Sequence, residues 1–396
     1  MPEPISNPAG GPTDWAGIRR GSNARPLEWL AEKAIQGVSF SAIAIVFLIF
    51  IFVAKEAIPV FLGQTDSSLI QPIIPVSQYS TTSKEVLSRY LGLSAKELAA
   101  MDEETVKDLM KSHEEGANDI PEAARNDPNA KVNGSAWRYL VTPHQWAGYD
   151  RPEFIWQPVG NIQKFNIVPL FVGSLKTTLI GLFFSVPLAL GAALYVSQLA
   201  PARVKEWVKP GIELLAGIPS VVIGAFALLV LASWLQSIFR YEVRLNSFVA
   251  GIALGFAVIP LVFSIAEDAL TSVPRSYVQA ALAVGASRWQ AARDIVLPAA
   301  IPGVFAAVVL GFGRAIGETM IVLIVCSAPV MSWNLFDSAR SITTTIAAEM
   351  GELVPGSPHY RILFMLGTLL FIVTFLTNFV GDLVIGGLKR RMEGKR

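Results

Sequence analysis

The sequence predicts an all-α membrane protein that crosses the bilayer six times, with a helical insertion outside the cytoplasm between its first and second spans. Of its 396 residues, 52% are hydrophobic and only 16% are charged, whereas soluble domains carry about a quarter charged residues. The mean hydropathy is +0.48. The apolar residues fall in blocks of roughly twenty, the length that a helix needs to cross about 30 Å of hydrocarbon.

Six apolar blocks define the predicted spans. They are residues 38–54, 167–198, 210–235, 248–266, 303–327 and 362–385. A polar stretch precedes the first block and no small-residue cleavage site follows it. This pattern favours a retained signal anchor over a cleaved signal peptide.

The positions of lysine and arginine in short loops predict the orientation, because these residues prefer the cytoplasmic side. They cluster before the first span, between spans two and three, between spans four and five, and after span six. These are alternate ends of a six-span chain, so both termini are predicted to be cytoplasmic. Arg240 and Arg244, close to Glu242, are the exception in the opposite loop.

The predicted domain organisation follows from these spans. It consists of a cytoplasmic segment 1–37, a first membrane helix 38–62, an extracytoplasmic insertion 63–163, a five-helix core 164–388 with a cytoplasmic loop 279–298, and a basic tail 389–396. Inside the insertion, Thr82–Glu85 and Ser94–Glu97 match the capping box that begins helices. Leu98, Met101, Val106, Leu109 and Met110 then follow at helical spacing. Contact with another subunit and the absence of any mechanistic role are equally open for this insertion.

Several kinds of site are not supported by the sequence. A single cysteine, Cys326, excludes an internal disulfide, and His113, His144 and His359 lack metal-ligand spacing and are predicted to be ordinary surface residues. No catalytic residues, metal site or nucleic-acid partner are predicted. No G-x-x-x-x-G-K-[ST] phosphate loop occurs. If ATP drives this protein, the ATPase is therefore expected on another chain.

The 279–298 loop, "QAALAVGASRWQAARDIVLP", carries the most specific pattern. It predicts two short helices broken at Gly285, which can adopt the left-handed conformation of a tight turn. Pro298 is expected to end the second helix, since it has no amide proton to donate. Trp289, Ala292 and Ile295 share one helical stripe. Such an amphipathic element fits a groove of a partner protein, and a plain helical linker is the alternative.

Two opposite charges, Arg314 and Glu318, interrupt the fifth apolar block. A lone charge at the centre of a membrane helix costs at least roughly 2.5–3.5 kcal/mol, and residues four apart on a helix can reach each other. Gly311, Gly313 and Gly317 leave room for close helix packing. The residues alone leave two readings open: a structural ion pair, or an arginine that meets a passing anion through two parallel hydrogen bonds.

The 279–298 loop resembles the EAA loop of ABC importer permeases. Six positions match the pattern in place, and Gln279 stands where the commonest residue is Glu; the matching residues are Ala280, Ala281, Gly285, Ile295, Leu297 and Pro298. The resemblance implies the type I ABC importer permease fold. It also implies that this loop docks on an ATP-binding subunit, which binds ATP and Mg, so that no cofactor is expected on this chain.

The stretch "GRAIGETM", Gly313 to Met320, resembles the signature of Pst-type phosphate permeases. In that family the Arg and Glu of the motif are implicated in phosphate transport. The stretches "FIWQPVG", "ELLAGIPSVVIG" and "LFDSARSITTTIAAEMGE" are similar to further parts of the family, and the last favours its PstC-type subunit. The resemblance covers residues 154–388 and leaves out 81–150.

This resemblance implies a transport subunit rather than an enzyme. It would move inorganic phosphate by alternating access across a bacterial cytoplasmic (inner) membrane, in contact with lipid. The implied partners are a PstA-type permease, a dimer of PstB-type ATPases and a PstS-type extracytoplasmic binding protein. Arg314 and Glu318 would lie on the substrate pathway. Lys176, a further cation two turns into the second span, is a candidate that the family pattern does not support.

Two alternatives to phosphate import stay open. Importers of sulfate, molybdate and phosphonate share the EAA loop, and one arginine does not distinguish these anions by itself. A self-contained secondary anion transporter would use the Arg314–Glu318 pair as a relay and would need no ATPase. An intramembrane enzyme is disfavoured, because the spans hold no persuasive catalytic constellation.

Overall fold

The computed structural model describes residues 26–70, 73–91, 93, 95–118, 120–326 and 328–392. The chain divides into two compact units, Met1–Phe52 and Val53–Arg396. The described part of the first unit consists only of the amino-terminal portion of helix α1, Pro26–Phe61. The predicted basic residues before residue 26, Ser94 of the second capping pattern, and the end of the basic tail lie outside the described residues.

Six helices in the described part of the chain are long and apolar enough to span a membrane, which confirms the predicted class. They are Trp29–Phe61, Val168–Leu199, Ser220–Phe239, Ser247–Thr271, Arg288–Ile316 and Pro358–Leu388. They are built from α1, α7 (Val168–Leu194), α9 (Ser220–Phe226), α10 (Ala232–Phe239), α11 (Ser247–Thr271), α13 (Arg288–Ala291), α14 (Leu297–Ile316) and α17 (Pro358–Met392). Short π-helical turns join α9 to α10 and α13 to α14.

The insertion between the first two spans is helical, as its pattern predicts. It contains α2 (Lys84–Leu91), α3 (Ala95–Ala100), α4 (Glu103–Asn118), α5 (Glu122–Arg125) and α6 (Trp137–Val141). Leu87, Leu98, Val106 and Met110 form a small core of their own. Helix α2 begins one residue later than the "TSKE" pattern predicts. Ser83 caps it by accepting a hydrogen bond from the Val86 amide, while the Thr82 hydroxyl donates to the Gln78 carbonyl instead. A two-stranded antiparallel hairpin, β1 (Trp156–Gln157) and β2 (Lys164–Phe165), leads into α7.

The predicted third span, 210–235, is wrong at its start. Helix α8, Ala202–Ala216, ends before Gly217, and the span begins at Ser220 directly after Pro219. Proline disfavours helical conformation in the residue before it, and it donates no amide hydrogen. The apolar composition therefore continues through a break that hydropathy alone does not register.

The predicted fifth span, 303–327, is displaced in the structure. The membrane helix already starts at Arg288 and runs to Ile316. Pro298 lies in the first turn of its α14 segment, directly after a π-helical turn, and a missing amide is tolerated at that position. The expectation that Pro298 ends a helix is therefore wrong. A separate short helix, α15 (Met320–Val325), follows the break, and α16 (Ile342–Glu349) precedes the last span.

Helix α11 is the buried centre of the bundle: 61% of the residues in its apolar 18-residue stretch are buried inside the protein. Glycines allow its neighbours to approach closely. A Cβ at Gly251 would lie 2.5 Å from the Ile180 side chain of α7. A Cβ at Gly311 of α14 would lie 2.7 Å from Val262. The predicted role of Gly311 in close helix packing is thereby confirmed, and α14 is fixed against the centre of the bundle.

Candidate functional site

The "GETM" stretch is the point where the fifth membrane helix breaks. Helix α14 ends at Ile316 and α15 starts at Met320. The Glu318 carboxylate accepts hydrogen bonds from the amides of Thr319 and Met320, both at 3.2 Å. Thr343 of α16 donates its hydroxyl hydrogen to the Glu318 carbonyl at 2.9 Å. Glu318 is thus held at the break by the first amides of the next helix, where negative charge is favoured.

Arg314 lies one turn before this break and is exposed in the isolated chain. Neither Glu318 nor any other described residue forms a hydrogen bond or an ion pair with its side chain. The expected Arg314–Glu318 ion pair is absent, because the helix ends between the two residues and Glu318 turns to the backbone of α15. The guanidinium therefore presents five N–H donors that no described residue uses.

Helices α14 and α17 pack in antiparallel directions along a seam beside Arg314. A Cβ at Gly381 of α17 would lie 2.6 Å from Val309, and one at Gly313 would lie 3.6 Å from the Asn378 Oδ1 atom. We call these four residues, Val309, Gly313, Asn378 and Gly381, the α14/α17 seam. Asn378 and Asp382, which are exposed side chains on α17, follow each other by one helical turn.

The sequence interpretation did not single out Asn378 and Asp382, although both lie within the predicted sixth span, 362–385. The available signal was a carboxylate inside an apolar block, which marks a functional site by default. The sequence did not show that these two residues lie near Arg314. Only the packing of Gly313 against Asn378 brings this part of α17 next to Arg314.

Lys176 is buried, with 3% of its surface exposed. Its ammonium donates hydrogen bonds to the carbonyls of Ser332 and Asn334, at 2.9 and 3.0 Å. The same loop is held internally by Asp337, which accepts the Ser332 hydroxyl hydrogen at 2.5 Å. These contacts make Lys176 the fastening point between α7 and the loop that precedes α16.

Lys176→Met is expected to destabilise the protein. The change removes the donor of two hydrogen bonds, to the Ser332 and Asn334 carbonyls, and each hydrogen bond from a charged group contributes about 1.5–3 kcal/mol. The melting temperature of the purified protein in detergent should fall, whereas Lys131→Met, at an exposed position of the insertion, should leave it unchanged. Equal melting temperatures for both variants and the unmodified protein would contradict the fastening role.

The 279–298 loop is folded as predicted in its first part. Helix α12, Arg275–Ala283, ends at a turn in which Gly285 has a φ of +90°, in the left-handed region. A capping box between Ser287 and Gln290 then starts α13. The predicted break at Gly285 is therefore confirmed, and the capping box explains why the helix resumes two residues later.

The exposed surface of this loop is apolar at its tip. Val284 is 86% exposed and Trp289 is 51% exposed. Of the residues singled out in the sequence, some lie at the surface and others hold the loop on the bundle: Gln279, Ala280, Gly285, Ile295 and Pro298 are exposed, Leu297 is half-buried and Ala281 is buried. Val284 was not among the predicted residues, although it directly precedes the critical glycine.

A buried cluster lies at the opposite end of the bundle. The Glu349 carboxylate accepts hydrogen bonds from Arg340 at 2.9 Å, from His359 at 2.8 Å and from the Trp156 indole at 3.2 Å. His359 is only 5% exposed. The prediction that His359 is an ordinary surface residue is wrong, because a carboxylate ten positions earlier folds back onto it. The cluster ties α16 to strand β1 and to the start of α17.

A second ion pair holds α8 to the bundle near the 279–298 loop. Lys209 of α8 donates to Glu267 of α11 at 2.8 Å. This hydrogen bond raises the pKa of Lys209 above its usual value. Among the described residues, no group of three or more potential ligands is placed to hold a metal ion. The region around Arg314 thus offers hydrogen-bond donors and positive charge on a membrane helix, and such groups are suited to binding an anion.

Comparison with known proteins agrees with this architecture. Residues 174–394 match the family described as "Binding-protein-dependent transport system inner membrane component". A probable ABC transporter permease, YqgH of Bacillus subtilis, is 35% identical over 223 residues, which are 56% of this chain and 72% of that protein. The phosphate transport system permease PstC of Mesorhizobium japonicum is 34% identical over 241 residues, covering 56% of this chain and 73% of that protein. A PstC 2 permease of Mycobacterium tuberculosis is 32% identical, with 56% and 75% covered.

The matched residues 174–394 begin within α7 and include both the 279–298 loop and Arg314. They identify the six-span helical architecture as that of an ABC importer permease. The insertion, which precedes residue 174, lies outside the family match. The chain belongs to the binding-protein-dependent transport system inner membrane component family, and within it to the ABC importer permeases of the PstC type.

Proposed function

We propose that this chain is the membrane subunit of an ATP-driven importer that moves inorganic phosphate into the cytoplasm by alternating access. The observation that carries the proposal is the unpartnered guanidinium of Arg314 on a membrane-spanning helix. A charged group at that depth faces a protein interior or a water-filled path. A planar guanidinium binds an oxyanion through two parallel hydrogen bonds. The PstC-type relatives, which carry phosphate transport in their names, support phosphate as that oxyanion.

Within this proposal Arg314 contacts the anion and Glu318 shapes the break beside it. Glu318 keeps α15 in place through two amides and keeps its charge away from the guanidinium. Lys176, predicted as a further pathway residue, has its ammonium on two backbone carbonyls. Its contacts support a role in positioning the loop before α16, and no step of the pathway is assigned to it.

The chain itself performs no covalent chemistry in this proposal. ATP and Mg are bound by a dimer of PstB-type subunits, which dock on the 279–298 loop through Gln279, Ala280, Gly285 and the exposed Val284 and Trp289. A PstA-type permease completes the path, and a PstS-type binding protein delivers phosphate at the opposite face. Both termini and the 279–298 loop lie in the cytoplasm, and the insertion 63–163 lies outside.

An oxyanion competition experiment tests the substrate. Uptake of labelled phosphate is measured in membranes that contain the complete complex, with unlabelled phosphate, sulfate or molybdate in large excess. Unlabelled phosphate should suppress the labelled uptake, while sulfate and molybdate should leave it unchanged. Suppression by sulfate as strong as that by phosphate would assign the chain to another oxyanion. Uptake that persists without ATP would instead indicate a secondary transporter.

A further inference from the structure

Asp382 is a carboxylate within the last membrane span that is unpaired among the described residues. It lies in the apolar sequence "NFVGDLVIGG" of α17 and is exposed in the isolated chain. No described residue forms a hydrogen bond or an ion pair with it. Ionisable side chains at membrane depth almost always face a bundle interior or a water-filled cavity. The side of α17 that carries Asp382 is therefore not expected to face lipid.

Arg314 lies on the same edge of the bundle as Asp382. Along the α14/α17 seam, Arg314 directly follows Gly313 and Asp382 directly follows Gly381, and both glycines face the neighbouring helix. In two antiparallel right-handed helices, the residue that follows a seam-facing position turns to the same side on both. Both side chains are exposed there. An anion at Arg314 is thus in the electrostatic field of Asp382.

Arg314 and Asp382 form no ion pair with each other in the structure. Asp382 lies about 6 Å along α17 from Asn378, and packed helices are about 8–10 Å apart, which places it about 10 Å from the anion site. At an effective dielectric constant of about 20, a repulsion between two unit charges at this distance lowers anion affinity about tenfold.

We propose that Asp382 is a release residue of the anion path, whose negative charge weakens phosphate binding at Arg314 and so shortens the time that the anion stays there. This inference rests on the proposed function, in which Arg314 binds phosphate. A transport path must bind its ion firmly enough to admit it and weakly enough to let it leave. Arg314 meets the first requirement with donors that no other described residue uses, and Asp382 meets the second.

Inhibition by phosphate on the cytoplasmic side tests the release role. The complete complex is placed in proteoliposomes with ATP inside and the binding protein outside, and initial uptake of labelled phosphate is measured against unlabelled phosphate loaded in the lumen. Asp382→Asn keeps the shape of the side chain and removes its charge. The lumenal phosphate concentration for half-inhibition should fall about tenfold. Asp382→Glu should restore the normal value, and Glu242→Gln, at an exposed position in another loop, should not alter it.

The outcomes separate this inference from the proposed function. Unchanged half-inhibition in Asp382→Asn overturns the release role. Loss of the permease partner on size-exclusion chromatography in that variant also overturns it, because Asp382 would then pair with the second chain. Arg314→Gln is measured in the same assay. If this variant still imports phosphate, the anion contact itself is wrong; if it does not, while Asp382→Asn behaves normally, only the release role fails.

Discussion

Arg314→Gln is expected to abolish ATP-dependent phosphate uptake while the importer still assembles in the membrane. Glutamine keeps a polar side chain of similar reach but loses the positive charge and the planar fork. Each charge-assisted hydrogen bond contributes about 1.5–3 kcal/mol, so the loss of two should weaken anion binding at least about a hundredfold. Assembly should survive, since no described residue depends on this guanidinium for a hydrogen bond or an ion pair.

Uptake of labelled phosphate and co-purification of the ATPase are measured on the same membranes. Arg314→Lys is the matched variant, because it keeps the charge and removes the fork. It should retain part of the uptake. Full uptake in Arg314→Gln would exclude the anion contact. Loss of the ATPase from the purified complex would show that Arg314 acts in assembly instead.

Val284→Asp is expected to uncouple the permease from its ATPase and so to stop ATP-dependent transport. Val284 is 86% exposed at the tip of the 279–298 loop, next to the turn at Gly285, and Trp289 continues the apolar surface. A carboxylate that is buried without a partner in an apolar interface costs about 3–5 kcal/mol. Because the side chain is exposed in the isolated chain, the fold should tolerate the change.

The measurement is a pull-down of the ATPase subunit with the tagged permease, combined with phosphate uptake. Val159→Asp is the control, since Val159 is 79% exposed in the segment before the second span. It should leave both ATPase binding and uptake intact. Normal ATPase recovery with Val284→Asp would show that the loop tip is not the docking surface.

The architecture was accessible from the sequence because hydrophobic length alone identifies membrane helices. The turn at Gly285 could also be predicted from the sequence, because glycine readily adopts the left-handed conformation of a tight turn. Pro298 was misleading because a proline at the first turn of a helix is tolerated, and the sequence does not show that the helix has just restarted after a π-helical turn. Local spacing therefore identified the elements but not how they join.

The candidate site was only partly accessible for a related reason. Spacing of four predicted that Arg314 and Glu318 would pair, but the intervening helix break gives Glu318 two amide partners at shorter range. Asn378 and Asp382 come from a helix some sixty residues later in the chain. Their relation to Arg314 follows from the packing of Gly313 and Gly381, which no single-sequence pattern supplies. His359 shows the same limit, because its partner Glu349 is set by the tertiary fold.

The continuous helix from Arg288 to Ile316 has a mechanical consequence. Its 29 residues extend about 40 Å, with the tip of the 279–298 loop at one end and Arg314 close to the other. If this helix moves as a rigid body, a small rotation at its Arg288 end displaces the Arg314 guanidinium by several ångströms. The π-helical turn at Ala292–Val296 sits near the base, where irregular helical turns often accompany function. In the proposed importer, motion of the ATPase would be transmitted from the 279–298 loop to Arg314 through this one helix, without a relay of side-chain contacts.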